Sequence, residues 1–302
     1  MEQNELLDII TDGTQFDGAY NIRVNGKLLD RKTTDNIDIV AKSDKDGIDI
    51  IIKDNTKKQT LGIPVILTQG EITDKVYNDF YIGENCDIVI VAGCGIDNCS
   101  SCKSQHDGIH TFYVGKNSKV KYIETHYGHG EGSGQKVLNP ETVVYLKENS
   151  ELTMNSTQIE GVDDTDRVTR AYLEDGANLI INEKVMTNQN QQAKSTFYIE
   201  LNGENSSTKV SSRVVAKDNS FQNFVSDVKG NNKCFAHIEC DAIIVGNARV
   251  NSTPAIVANN SDAALVHEAT IGKIAGEQML KLLTLGLTEE EAEQQIINGF
   301  LR

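Results

Sequence analysis

The stretch 92–110, AGCGIDNCSSCKSQHDGIH, holds three cysteines, two histidines and three glycines. Cys94, Cys99 and Cys102 follow a C-x4-C-x2-C spacing. Three of the ligands of a plant-type ferredoxin cluster are spaced this way, with a fourth cysteine supplied from elsewhere. Thiolates suit iron–sulfur clusters, zinc and Cu(I). His106 and His110 follow closely, so a zinc site of three cysteines and one histidine is also stereochemically available. Two other readings fit the same residues: redox thiol chemistry, and thiols that merely fill small positions at a glycine-rich corner. Spacing alone leaves all three open.

A second group lies in NNKCFAHIECDAII, residues 231–244, which carries Cys234, His237 and Cys240. In a strand the even separation puts the two cysteines on one face and His237 on the other. Burial in a core competes with ligation here, because free cysteine is among the most buried residue types. VHEAT places His267 beside Glu268. No GxxxxGK[ST] loop, GxSxG elbow or HExxH motif occurs. GHGEGSGQK, residues 128–136, lacks the order of a phosphate loop and reads as a flexible connection.

The elements that must position these residues are short. Of 302 residues, 38% are hydrophobic, only 6% aromatic and none is Trp, which favours many short strands and turns. Three prolines stand against 24 glycines, so turns rely on Gly, Asn and Asp. A net charge of −15 without a basic run excludes a groove built to displace counterions from nucleic acid. MEQNELLDII has no basic n-region or long apolar run, so a soluble, cytoplasmic chain is expected, its cysteines being thiols or ligands.

The chain also repeats itself. FYIGENCDIVIV, FYVGKNSKVKYI, VYLKENSELTMN and AYLEDGANLIIN share one template, with Tyr81, Tyr113, Tyr145 and Tyr172 spaced 32, 32 and 27 residues apart. Tyr198 begins a looser fifth copy. Cys86 takes the small position that Ser118, Ser150 and Ala177 hold elsewhere, which points to a structural role. Each copy is two strand-like runs around a turn. Such units bury their apolar side only by stacking, so the pattern predicts a mainly β protein with a parallel β-helix core. A sandwich of meandering strands is the rival topology.

Three regions are expected: an N-terminal segment 1–35, a β-helix core 36–265 and a C-terminal helical hairpin 266–302. The first holds a short helix in NELLDIIT and a hairpin around Asn25-Gly26. In the last, Ile271, Ile274, Ala275, Met279, Leu282 and Leu283 fall on one helical face. Gly286 is a C′ glycine, and Thr288 with Glu291 is a capping box opening a helix that presents Ala292, Ile296 and Phe300. This hairpin either caps the solenoid or docks a partner, through Ile274, Leu282, Leu283, Ile296 and Phe300.

HEATIGKIAGEQMLKLLTLGLTEEEAEQQIINGFL closely resembles the C-terminal signature of the SufB/SufD family of the SUF iron–sulfur assembly system. ECDAIIVGNARVNSTPAI is similar to the segment before it, and the cysteine stretch resembles that of short SufB-like members. The likeness runs from about residue 80 to the end. It implies a right-handed parallel β-helix whose C-terminal helices dock the ABC-type ATPase SufC, which would supply the nucleotide motif in trans. It also implies pairing of two cores, here a homodimer, with a transient iron–sulfur cluster forming near their interface. His267 and Glu268 match family residues of that site. The SufB cysteine implicated in assembly falls near Ala248, where this chain has none. Either Cys94, Cys99, Cys102 and Cys240 replace it, with His106 nearby, or the chain behaves like SufD. The expectation is a scaffold and not an enzyme. A zinc- or thiol-stabilised solenoid that only binds partners is the alternative, and a polysaccharide-acting β-helix enzyme is disfavoured by the scarcity of aromatics.

Overall fold

The computed structural model describes residues 2–14 and 16–302. Helix α1 (Gln3–Ile10) precedes β1 (Ala19–Val24), β2 (Lys27–Lys32), β3 (Ile37–Ala41), β4 (Gly47–Ile52), β5 (Lys57–Leu67) and β6 (Ile72–Ile82). There follow β7 (Asp87–Asp97), β8 (Ser104–Val114), β9 (Lys119–His129), β10 (Lys136–Leu138), β11 (Glu141–Leu146) and β12 (Glu151–Glu160). The core continues with β13 (Asp164–Leu173), β14 (Asn178–Thr187), β15 (Gln192–Leu201), β16 (Ser206–Ala216), β17 (Phe221–Gly230) and β18 (Cys234–Ile244). Last come β19 (Arg249–Ala258), β20 (Ala264–Gly272), α2 (Gly276–Thr284) and α3 (Glu289–Phe300).

From β5 onward successive strands alternate between two parallel sheets, β5-β7-β9-β12-β14-β16-β18-β20 facing β6-β8-β10/β11-β13-β15-β17-β19. This is a β-solenoid of about eight turns, not a sandwich of meandering strands. Because the strands are parallel and in register, each lumen position forms a column. One runs Ile50–Phe80–Phe112–Val144–Ala171–Ile199–Val228. The facing sheet contributes Leu61–Ile90–Tyr122–Met154–Ile181–Val210–Ile238. All of these side chains are buried.

The repeat template has a physical cause at each position. Asn55, Asn85, Asn117 and Asn149 turn the chain with φ between +54° and +62°, and Gly176 takes the same role with φ +62°. Asn and Gly are the residues that tolerate this region. The small residue next in line points into the lumen, where Cys86, Ser118 and Ala177 are fully buried. Outside, Tyr81, Tyr113, Tyr145 and Tyr172 stack with ring centroids 5.1, 5.3 and 5.2 Å apart. Tyr198 leaves this ladder: Tyr172 pairs with Glu200, and Tyr198 lies beside Arg170 two residues earlier. The fifth copy is therefore shifted, not loose.

The two ends differ. At the N-terminal end both sheets are closed by antiparallel strands, β2 on β1 and β3 on β4. The β1–β2 turn is the Asn25-Gly26 hairpin expected, with φ of +49° and +76°. Residues 1–35 were set apart on sequence grounds, yet β1 already pairs in parallel with β5. Helix α1 packs Leu6 and Ile10 against Ile66 on the outside of the same sheet. At the C-terminal end β19 and β20 are edges, and Ile256, Val257, Val266 and Ile271 are exposed.

The helical hairpin starts later than its periodicity suggested. Residues 264–272 extend β20, paired with β18, so Ile271 is a strand residue and Ala275 the N-cap of α2. Ladder pairing to β18 overrides local helical propensity there. The capping box of Thr288 and Glu291 is formed, and Gly286 follows the α2 C-cap with φ +93°. Helix α3 packs Ile297 and Leu301 on Val215.

Phe112→Ala should cost about 3–5 kcal/mol in chemical denaturation, because it opens a lumen cavity. Tyr113→Ala, one residue away on the outer ladder, should cost no more than about 2 kcal/mol. Equal losses would contradict this division of faces.

Candidate functional site

The corner motif is split by the alternation of β7. Cys94 points into the lumen and is 3% exposed, whereas Cys99 is exposed on the loop that follows and Cys102 is partly exposed. Asn98 holds that loop: its amide nitrogen donates to the Cys102 carbonyl at 2.7 Å, and its side-chain oxygen accepts from Ser100. The 128–136 segment is no free connection either. Gly132 and Gly134 donate through their backbone N–H groups to the carbonyls of Asn98 and Ser100, at 3.2 and 3.0 Å. The Cys102 thiol donates to Glu71 Oε1 at 3.2 Å, an interaction that raises its pKa.

Cys240 is fully buried in the lumen near the open end, and burial pushes its thiol up to about 12. His267 continues the lumen column from Ile238 on the last strand, half-buried, with neither ring nitrogen hydrogen-bonded. The lumen thus brings Cys240 and His267 to diagonal positions on adjacent strands. Glu268 faces outward and lies 3.4 Å from His237 Nε2. Ala248 is 7% exposed at the turn before β19. Among the described residues no group of three His, Cys, Asp or Glu converges with metal-holding geometry within one chain.

Sequence reasoning missed a polar interior. Arg23 and His106 Nδ1 both donate to Asp74, at 2.9 and 3.0 Å. His110 Nδ1 lies 2.9 Å from the Tyr122 hydroxyl, which donates to Glu124 Oε1 at 2.9 Å. Since that hydroxyl proton is committed to the carboxylate, His110 donates from Nδ1. Arg167 donates to Glu124 Oε2 at 2.6 Å and faces Glu183 at 3.6 Å. Ser195 and Ser212 donate to Glu183 at 2.5 and 2.6 Å. Glu124, Ser156, Glu183, Ser212 and Cys240 form one column along the lumen. The signal was present in VKYIETHYGH, where polar residues alternate in phase with the lumen residue Tyr122, but only the register reveals it.

Burial sets the electrostatics. Cys94 is pushed well above the usual thiol range by desolvation, with Asp74 and Glu124 adding to it. Burial also disfavours the Glu124 carboxylate, yet Arg167 and His126 outweigh it and hold Glu124 well below the usual range. Desolvation lowers His110 from 6.5 to about 4.

At the helical hairpin, Leu282, Ile296 and Phe300 line an apolar groove of about 470 Å³ with Ile243 and Gly299. Leu283 and Ile274 lie outside its lining, and Leu280 and Leu285 are 62% and 76% exposed beside it. No described helix is long and apolar enough to cross a membrane.

A pH titration of stability tests the buried histidine. His110 stays neutral when folded and protonates when unfolded, so its contribution is complete above pH 6.5 and lost as pH falls toward about 4. His110 should account for about 3 kcal/mol of the stability lost across that window. His110→Gln should flatten the slope, measured by denaturant unfolding at each pH.

The family model described as SUF system FeS cluster assembly, SufBD core domain, matches residues 79–300. An iron–sulfur cluster assembly SufBD family protein of Methanocaldococcus jannaschii is 28% identical over 289 residues, covering 94% of this chain and 90% of that protein. One from Pyrococcus horikoshii is 28% identical over 288 residues, covering 91% and 84%. A second Pyrococcus horikoshii protein of the same description is 43% identical over 70 residues, or 23% of this chain and 16% of that one. The chain belongs to the SufBD family of iron–sulfur cluster assembly proteins.

Proposed function

We propose that this chain is a SufB-like scaffold, not an enzyme, on which an iron–sulfur cluster is built or held as cargo. It works in the cytoplasm as a homodimer, with a SufC-like ABC ATPase docked on α2 and α3. The observation that carries this reading is the open C-terminal end of the solenoid. Edge strands present unpaired N–H and C=O groups and invite pairing. Here both edges also expose aliphatic side chains, and Cys240 and His267 face the lumen beside them. A second copy meeting this end would cover the edges and bring two sets of Cys240 and His267 together, with Glu268 on the outer face of the same strand. Thiolate and imidazole donors split between two chains also account for an incomplete set in one.

The apolar groove of α2 and α3 supports the docking role, since it presents Leu282, Ile296 and Phe300 to a partner. The competing reading is a SufD-like or thiol-stabilised solenoid that binds partners without holding a cluster. Its support is the burial of Cys94 and Cys240, which keeps both thiols protonated in the isolated chain.

Anaerobic reconstitution with iron and sulfide separates the two. Wild type should gain broad visible charge-transfer absorption, and Cys240→Ser should lose it while a Cys94, Cys99, Cys102 triple serine variant retains it. Loss only in the triple variant would move the cluster to the corner loop. An unchanged spectrum in both would remove these cysteines as ligands, and no absorption in wild type would favour the SufD-like reading. Docking is checked by co-purification with an ABC-type ATPase. Deleting residues 287–302, or Leu282→Asp with the fold intact, should abolish the complex.

A further inference from the structure

Away from the open end, a small cavity in the lumen has Cys94, His106, Gly108, His110, Glu124 and His126 among its lining residues, beside aliphatic ones such as Val65 and Leu138. The two histidines of HDGIH lie at i and i+4 on β8, so both point inward with Gly108 between them. A Cβ at Gly108 would lie 3.1 Å from His106 Nε2 and 3.4 Å from His110 Nε2. Both Nε2 atoms therefore border the same small space, and it exists because residue 108 has no side chain.

The orientation of both rings is fixed from behind. Asp74 accepts from His106 Nδ1, and the Tyr122–Glu124 pair accepts from His110 Nδ1. Held this way, both rings turn Nε2 toward the cavity. A carboxylate behind a histidine is how proteins orient imidazoles that bind metals. Asn78 Nδ2 occupies the His110 lone pair only at 3.3 Å, a contact an incoming ion can displace. The buried carboxylates Asp74 and Glu124 lie beside these rings, partnered by Arg23 and His106 and by Arg167 and His126 respectively.

We propose that this cavity is a binding site for one divalent first-row metal ion, held by His106 Nε2 and His110 Nε2. In the unliganded chain no three donors converge, so the imidazole pair is the preformed part. Cys94 and Glu124 line the same space and supply further donors on side-chain rotation. Imidazole with thiolate or carboxylate suits iron(II), cobalt(II) and zinc(II). That the physiological ion is iron(II) rests on the scaffold reading; the site itself does not.

Cobalt(II) is the probe, titrated anaerobically into chelator-treated full-length protein without sulfide or ATPase, and followed by visible absorption and calorimetry. One ion per chain is expected. Gly108→Ala places a methyl between the Nε2 atoms and should weaken binding about tenfold or more, as should His110→Gln. Cys99→Ser with Cys102→Ser, both on the corner loop, should leave affinity unchanged. Circular dichroism confirms that each variant is folded, and Gly108→Ala needs only small shifts of two ring edges. Wild-type affinity in Gly108→Ala and His110→Gln, or no stoichiometric binding by wild type, would overturn the proposal. Failed cluster reconstitution alongside intact cobalt binding would sink the scaffold reading alone.

Discussion

A single coil of this solenoid cannot bury its own apolar side; it must be roofed by the next coil through parallel, in-register pairing. Everything else in the molecule follows from that requirement. It fixes which side chains share a column and keeps Phe80 on Phe112 with parallel rings 4.4 Å apart. It also makes the last coil a liability, because nothing roofs it. The N-terminal coil is covered by antiparallel strands, whose outermost one carries Lys27, Asp30 and Lys32 and also the exposed Leu28 and Leu29. The C-terminal coil has no such closure among the described residues, and its aliphatic side chains stand in solvent.

The lumen is divided in the same language of columns. Most are apolar and behave as an ordinary close-packed core. The column from Glu124 to Cys240 is polar, as is Asn78–His110–Thr142–Thr169 on the facing sheet, and the first draws Arg167 across. Two carboxylates and a guanidinium at this depth add little net stability, since buried ion pairs are offset by desolvation. Every partner in the set is nonetheless well placed: Glu183 accepts from two hydroxyls, and Glu124 from a hydroxyl and a guanidinium. This arrangement carries polarity along the lumen from the His106–His110 cavity toward the end where Cys240 and His267 lie.

Much of this was legible in the sequence. The tyrosine spacing, the Asn-small pairs and the even separation of Cys234 and Cys240 all report backbone constraints that recur every coil. The capping box and the Asn25-Gly26 hairpin are local, and both formed where their residues stood. What could not be read was long-range register. The C-x4-C-x2-C motif looked like one site, but strand alternation buries Cys94 and leaves Cys99 and Cys102 on the outside. Residues 266–272 looked helical until pairing with β18 claimed them. The Glu124–Arg167–Glu183 set is spread over 60 residues, and no local pattern links its members.

The central claim is that the open end is completed by a second copy of this chain. Its most direct test is the mass of the protein in solution, by light scattering coupled to size exclusion, for wild type and for Val257→Lys and Val266→Lys edge variants. The account predicts twice 33.2 kDa for wild type and 33.2 kDa for the folded variants. A wild type that stays at 33.2 kDa, or edge variants that keep the doubled mass, would contradict it.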